Sequence, residues 1–453
     1  MKFKKLLGAI AATITALSAC VFTSCGSTGG TSANTDPNDP YSGIEITVGI
    51  ANNASETAIL NTFRTAYLKK YPGRKIKIDR FTGEFDNELG KRVRSENVPE
   101  VIQVYDFSAE YWTSKGVYAP LDDRMTAAEI SDGDFFDQIV AMMKSGTDGK
   151  KYWAARDYNK IVVAVNKEMF KIAGIEIPSD EWTWDDFVAT CEALEAKSAD
   201  IRKTSGQEIF YAVDANLNWE AVYYPAVKSF GGDLFDVENS VAYKNLDGIK
   251  EGFGKLLSLV DSKLAVNPAD ASTSPFAVQQ AAMSFIVRPE VASIANALKD
   301  ENGESQLDFV AMPSFTGENV TTSYIGVGCT GYALSSTAEG TKADAAWEFI
   351  KYIISEEGQR VFAESGAVIP VLKDLSLSKD APFRSYLPNA NHDAFIKYSE
   401  RDLPLNYMHG INADKHLAIR SVLKSELMKN LANATDRDAY YSLLKEKLEG
   451  AMR

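Results

Sequence analysis

Apolar and polar positions alternate along residues 45–50, which predicts a β-strand. The period then changes. In residues 54–70, Ile59, Leu60, Phe63 and Tyr67 recur at helical spacing, and Tyr71-Pro72-Gly73 supplies the stop. Residues 75–80 alternate again with Ile76 and Ile78 inward, residues 85–96 suit a helix, and Val98-Pro99 breaks it. Residues 101–105 form a near-continuous apolar run, as a strand buried on both faces would. Strand, helix, strand, helix, strand predicts a parallel α/β sheet. Ligands bind such sheets at the carboxyl ends of the strands, which marks Asn52, Asn53, Glu84 and Asp106.

The same reading gives a buried strand at 161–165, helices at 167–173 and 184–197, and short apolar strands at 281–287, 307–312 and 332–334. Residues 342–355 place Ala345, Ala346, Phe349, Ile350 and Ile353 on one helix face, and residues 416–453 read as two helices.

The start of the chain follows a different logic. Lys2, Lys4 and Lys5 precede an apolar run at 6–17, and then come Leu17-Ser18-Ala19-Cys20 and Cys25-Gly26-Ser27. A run of about a dozen apolar residues is too short to span a ~30 Å hydrocarbon core, so residues 1–25 read as an export signal. A cysteine after small residues resembles the lipobox of bacterial lipoproteins, which makes Cys20, or else Cys25, the lipidated residue. Residues 26–43 are dominated by Gly, Ser, Thr, Asn, Asp and Pro and read as a flexible tether.

Some 410 residues remain, too many for one ordinary core, so two lobes are expected. The net charge is −14, or −17 without the three leader lysines, which argues against nucleic acid as a partner. Cys191 and Cys329 are far apart in sequence and read as buried small hydrophobes rather than a disulfide. His392, His409 and His416 lack the companions of a tetrahedral metal set, no GxSxG elbow is present, and no cofactor is implied. Gly326-Val327-Gly328-Cys329-Thr330-Gly331 spells GxGxxG, but β-like Tyr332-Ala333-Leu334 follows where a dinucleotide site needs a helix. It reads as an extended glycine-rich segment, with freedom at φ that suits bending.

Aromatic and polar residues are interleaved in predicted loops: Tyr105-Asp106-Phe107, Arg156-Asp157-Tyr158-Asn159 and Asn218-Trp219-Glu220. An aromatic face covers the C–H face of a pyranose while carboxylates, amides and Arg bond its hydroxyls, so these loops suit a sugar.

The order of segments then resembles the extracellular solute-binding proteins of bacterial ABC importers, of the sugar-binding, maltose-binding-protein-like kind. The likeness runs from about Ile44 to the C-terminus. It rests on Val98-Pro99-Glu100-Val101-Ile102, Gly116-Val117-Tyr118-Ala119-Pro120-Leu121, Val165-Asn166-Lys167 and Trp182-Thr183-Trp184-Asp185-Asp186-Phe187. Ala281-Ala282-Met283, Ala345-Ala346-Trp347-Glu348-Phe349-Ile350, Ser355-Glu356-Glu357-Gly358-Gln359 and Gly366-Ala367-Val368-Ile369-Pro370 continue the series.

The resemblance implies an α/β, two-lobed periplasmic-binding-protein-like fold. Each lobe would be a mainly parallel sheet flanked by helices, with three hinge crossings near 156–160, 324–331 and 371–375. Lobe 1 would comprise 44–156 and 326–372, and lobe 2 would comprise 157–325 and 373–453. By position, the resemblance assigns Asn52, Asn53, Glu84, Phe85, Tyr105, Asp106, Asp157 and Asn159 to the ligand cleft from one side. From the other it assigns Trp219, Arg288, Glu290 and Tyr407, with Gly326 in the hinge. Many relatives carry Gly-Pro-Trp where this chain has Val287-Arg288-Pro289-Glu290, so a stacking platform is replaced by a charged pair. The implied function is a monomeric, lipid-anchored receptor outside the cytoplasm that delivers a carbohydrate, an oligosaccharide above all, to an ABC permease and catalyses nothing. The rivals are a polyamine or phosphorylated-polyol receptor, a surface glycoside hydrolase, and an adhesion or sensing lipoprotein.

Overall fold

In the computed structural model, which describes residues 37–270, 274–317, 322–405, 408, 411–424 and 427–453, the chain opens with strands and helices in alternation. They are β1 (Glu45–Ala51), α1 (Ala54–Lys70), β2 (Lys75–Phe81), α2 (Phe85–Arg94), β3 (Val101–Tyr105) and α3 (Asp106–Ser114). Two short strands, β4 (Ala154–Ala155) and β5 (Asn159–Lys160), lead into β6 (Val162–Asn166). The principal elements that follow are α4 (Trp184–Ala196), β7 (Tyr211–Asp214), α5 (Glu220–Ser229), α6 (Leu246–Asp261), β8 (Ala281–Ile286) and β9 (Leu307–Ala311). The return segment holds β10 (Ile325–Gly328), β11 (Thr330–Leu334) and α7 (Gly340–Ile353). The chain ends with β12 (Asp402–Pro404), α8 (His416–Lys424), α9 (Leu427–Asn433) and α10 (Arg437–Met452).

These strands build two large sheets and a small one, and Asp233–Asp236 pairs with Val241–Lys244 in a separate two-stranded sheet. Lobe 1 has the order β2-β1-β3-β11-β4, with β1, β2 and β3 parallel and β11 antiparallel to its neighbours. Lobe 2 has the order β9-β6-β8-β7. Here β6 runs antiparallel to both neighbours, because the chain enters it from the hinge, so this sheet is mixed. The third sheet, β12-β10-β5, consists of short strands between the lobes, with β10 parallel to β12 and antiparallel to β5.

Period-two alternation divides the core. Val162, Ala164 and Phe309 face a cluster continuous with lobe 1, while Val163, Val165, Met283 and Phe285 face a second cluster with α4, α5 and α6. Cys191 is buried in that second cluster, and both Cys191 and Cys329 are unpaired thiols.

Lys160 and Asp402 join two strands of the small sheet by a buried ion pair of 2.6 Å. The Tyr158 hydroxyl donates to the same carboxylate, and Lys160 Nζ donates to the Lys397 carbonyl at 2.5 Å. The glycines of the GxGxxG string are not there for φ freedom: Gly326, Gly328 and Gly331 all lie outside the positive-φ set. Space explains two of them. A Cβ on Gly326 would stand 2.1 Å from the Ala221 carbonyl oxygen, and one on Gly331 would stand 2.1 Å from that of Ala154.

Cys20, Cys25, the leader, residues 26–36 of the tether, Asn406 and Tyr407 lie outside the described residues. The end of the predicted tether belongs to the fold. Arg74, on the turn between α1 and β2, holds Asp39 through two hydrogen bonds of 2.8 and 2.9 Å and sits against the rings of Tyr41 and Tyr71.

Candidate functional site

A cavity of about 320 Å³ opens between the lobes and against the small sheet. Lobe 1 contributes Tyr105, Asp106 and Phe107, where β3 runs into α3. The hinge contributes Asn159 from β5 and Gly328, Cys329 and Thr330 from the link between β10 and β11. Lobe 2 contributes Trp219 and Glu220 at the start of α5, and Arg420 and Lys424 one turn apart on α8.

The lobe 1 wall is the end of an aromatic row. Phe81 stacks on Phe85, the edge of Phe85 meets Tyr105 at 5.3 Å, and Tyr105 stacks on Phe107 at 5.1 Å with a 12° tilt. The opposite wall places the Arg420 guanidinium 3.0 Å from the Phe107 ring centroid. Arg420 is only 8% exposed. One of its terminal nitrogens reaches Glu220 at 3.5 Å, and its Nε and other terminal nitrogen have no partner.

Asp106 begins α3 and accepts hydrogen bonds from its neighbour's amide, Phe107 N (2.7 Å), and from Cys329 N (3.0 Å). Removal from water nevertheless pushes its carboxyl up to about 6, the two N–H donors pulling the other way. Gly328 is the third tight glycine: a Cβ there would stand 2.8 Å from Asp106 Oδ2, inside the cavity.

Of the residues expected at the cleft, the structure brings together Tyr105, Asp106, Asn159 and Trp219. The others have different surroundings. Asn53 caps α1, its side chain accepting from Glu56 N at 2.7 Å. With Asn52 and Arg80 it lines a separate shallow depression. Glu84 is exposed at the start of α2, and Phe85 is buried in the aromatic row. Gly326 packs against α5 rather than lining the cavity. Asp157 is buried behind the cavity wall, saturated by Arg156 and Thr330.

Arg288 is fully buried away from the cleft, because a set of acceptors replaces its water. It donates to the carbonyls of Gly366 (2.6 Å) and Phe383 (2.7 Å) and meets His392 Nδ1 at 2.8 Å. Burial pulls the guanidinium down to about 9 and, with Arg288 alongside, His392 to about 4. Glu290 turns back to accept from Val287 N at 3.0 Å and lines a smaller cavity of about 220 Å³ with Asp214. Burial raises both of those carboxyls.

The residues not foreseen are Phe107, Glu220, Arg420 and Lys424. The first two stand inside the aromatic-polar triplets already noted. The signal for the others is a pair of cations four residues apart on a helix whose Ile419 and Leu423 are core. Among the described residues, no group of three His, Cys, Asp or Glu side chains could hold a metal ion, and no helix is long and apolar enough to cross a membrane.

Comparison with known proteins agrees with this architecture. The sn-glycerol-3-phosphate-binding periplasmic protein of Yersinia pestis is 23% identical over 359 residues, 77% of this chain and 78% of that protein. Among solved structures, UgpB from Mycobacterium tuberculosis in complex with glycerophosphocholine superposes with a TM-score of 0.70 at 15% identity, covering 90% of this chain and 98% of the other. An ABC substrate-binding protein from Listeria monocytogenes in complex with cycloalternan gives 0.68 at 17% identity, covering 90% and 97%. The sequence model of one family, described as bacterial extracellular solute-binding protein, matches residues 62–386. With that match spanning well over half its length, the chain belongs to the bacterial extracellular solute-binding protein family.

Proposed function

We propose that this protein is the receptor of an ABC importer, that it holds a carbohydrate in the cavity between its lobes, and that it passes the ligand to the permease without chemistry of its own. The observation that carries this reading is the pairing of aromatic walls with polar groups on both lobes. Tyr105 and Trp219 offer ring surface, Phe107 backs Tyr105 and carries Arg420 on its own face, and Asp106, Asn159, Glu220 and Arg420 offer hydrogen bonds around them. A ligand there touches both lobes, so it has the differential affinity that closure requires. Maturation at Cys20 or Cys25 would leave the receptor fastened to the outer face of the membrane by lipid. Calorimetry against a panel of neutral oligosaccharides tests the ligand class, and absence of binding across the panel counts against it.

A second reading, a phosphorylated polyol, draws on Arg420. A guanidinium this buried with two nitrogens unpartnered suits an anion, and Lys424 adds a second cation. The polyamine alternative keeps Asp106 in the cavity but not Asp157, which is saturated, or Glu290, which lines a different cavity. Glycerol 3-phosphate in the same calorimetric panel separates the two readings.

A further inference from the structure

Asp157 is buried behind the cavity wall, yet it holds the side chain of Asn159, a residue that lines the cavity. Its Oδ1 accepts from Asn159 Nδ2 at 2.9 Å and from Thr330 N at 2.8 Å. Its Oδ2 accepts from Arg156 Nε at 3.0 Å and from a terminal Arg156 nitrogen at 2.9 Å, and the Thr330 hydroxyl donates to it at 2.8 Å. Arg156 is itself fixed by Glu56 at 2.7 and 3.2 Å, so the carboxylate is held from both sides.

A carboxylate so surrounded by donors can only accept, and an amide facing it must present its NH₂. The consequence falls on the other end of the amide. Asn159 lines the ligand cavity, and its Oδ1 is buried without a partner. A buried acceptor left unpaired carries a cost that a ligand donor would relieve.

We infer that Asp157 is a positioning residue: it pins the Asn159 amide so that Oδ1 faces the cavity as an obligatory acceptor, and the ligand supplies a hydroxyl donor there. This deepens the receptor reading and rests on it for the ligand. A free amide would rotate to suit either donor or acceptor; a pinned one selects donors and rejects an ether or deoxy position.

The first test needs no ligand. In protein labelled with ¹⁵N-asparagine, the Asn159 side-chain resonances are identified by their loss in Asn159→Leu. Their exchange with solvent should be at least about tenfold slower than that of exposed Asn302, as expected for a hydrogen-bonded buried NH₂. Exchange as fast as that of Asn302 overturns the pinning. The second test is a double-mutant cycle read by calorimetry with maltose and glycerol 3-phosphate as probes. Asp157→Asn should weaken whichever probe binds by about three- to tenfold, the scale of one misdirected hydrogen bond, and should do nothing further in the Asn159→Leu background. An equal loss in both backgrounds makes Asp157 merely structural and overturns the inference. If neither probe binds the parent protein, the ligand reading fails, and the exchange measurement alone decides the positioning.

Discussion

Arg420 of lobe 2 lies face-on to Phe107 of lobe 1, the guanidinium 3.0 Å from the ring centroid. One contact thus spans the cleft, and Lys115 with Asp414, 2.5 Å apart on the surface, spans it again. These two contacts lie at the cleft, apart from the apolar cluster that runs continuously from lobe 1 under Val162, Ala164 and Phe309.

Arg420 also separates the two ligand readings. Arg420→Met keeps much of the packing on Phe107 and removes the charge. Affinity for an anionic ligand should fall by about 1.5–3 kcal/mol, the range for hydrogen bonds to charged groups, with a matching loss of salt dependence. A neutral sugar should lose less than about 1 kcal/mol. Calorimetry at two ionic strengths checks both.

Trp219 forms the lobe 2 ring face of the cavity while part of it packs on the lobe 2 core. Trp219→Ala should weaken the cognate ligand by about 1–3 kcal/mol. Circular dichroism should be unchanged. Undiminished affinity would remove this residue from the ligand's surroundings.

A side chain added at Gly326 meets backbone and one added at Gly328 meets a carboxylate, so the two make opposite predictions. Gly326→Ala drives a methyl into the Ala221 carbonyl and should cost about 1–3 kcal/mol in urea unfolding, the range for overpacking. Gly328→Ala places its methyl beside the Asp106 carboxylate in the cavity, so ligand affinity should suffer more than stability. A reversed ranking would mean that the link between β10 and β11 adjusts more freely than its contacts indicate.

Two buried groups oppose each other below neutrality. Asp106 is raised from 3.8 to about 6 by loss of water. Between those values the folded chain holds a proton that the unfolded chain has released, so this group lowers stability as pH rises through the window. His392 is lowered from 6.5 to about 4 by burial and by Arg288. Here the unfolded chain holds the extra proton, and stability rises with pH from about 4 to about 6.5. Asp106→Asn removes one of the contributions that oppose the histidine, so its Tm should climb more steeply than the parent's between pH 4 and 6. Parallel curves would mean that Asp106 ionises like an exposed carboxyl.

Closure itself is measurable by small-angle scattering. Saturating ligand should reduce the radius of gyration, and Lys115→Glu, which sets like charges against each other at Asp414, should enlarge the unliganded radius. The exposed pair is worth only about 0–1 kcal/mol, so the liganded radius should change little. An identical radius with and without ligand counts against hinge motion.

The strands of lobe 1 were legible because alternation and apolar runs have direct physical causes: predicted 45–50, 75–80 and 101–105 became β1, β2 and β3. Asp106 followed from the rule about strand ends, which also marked Asn52, Asn53 and Glu84 outside the cavity, and Tyr105 from the aromatic-polar triplet. Arg288 and Glu290 were assigned by position from the resemblance, and the structure places them outside the cavity between the lobes. Nothing in the local sequence shows that two carbonyls and His392, remote along the chain, enclose that guanidinium. Arg420 stayed hidden for the converse reason. A helix has a buried face and a cleft face, and periodicity records only the first. Gly326 and Gly331 were recognised as special, but their reason is contact with a neighbouring backbone, which sequence spacing does not encode.

Arg74 defines a load path. Tension drawn through the chain ahead of Asp39 enters the fold at this guanidinium and spreads into the lobe 1 sheet, where seven register pairs join β1 to β2. The strands of the small hinge sheet lie off that route. A pull on the chain ahead of Asp39 would therefore load lobe 1 before lobe 2.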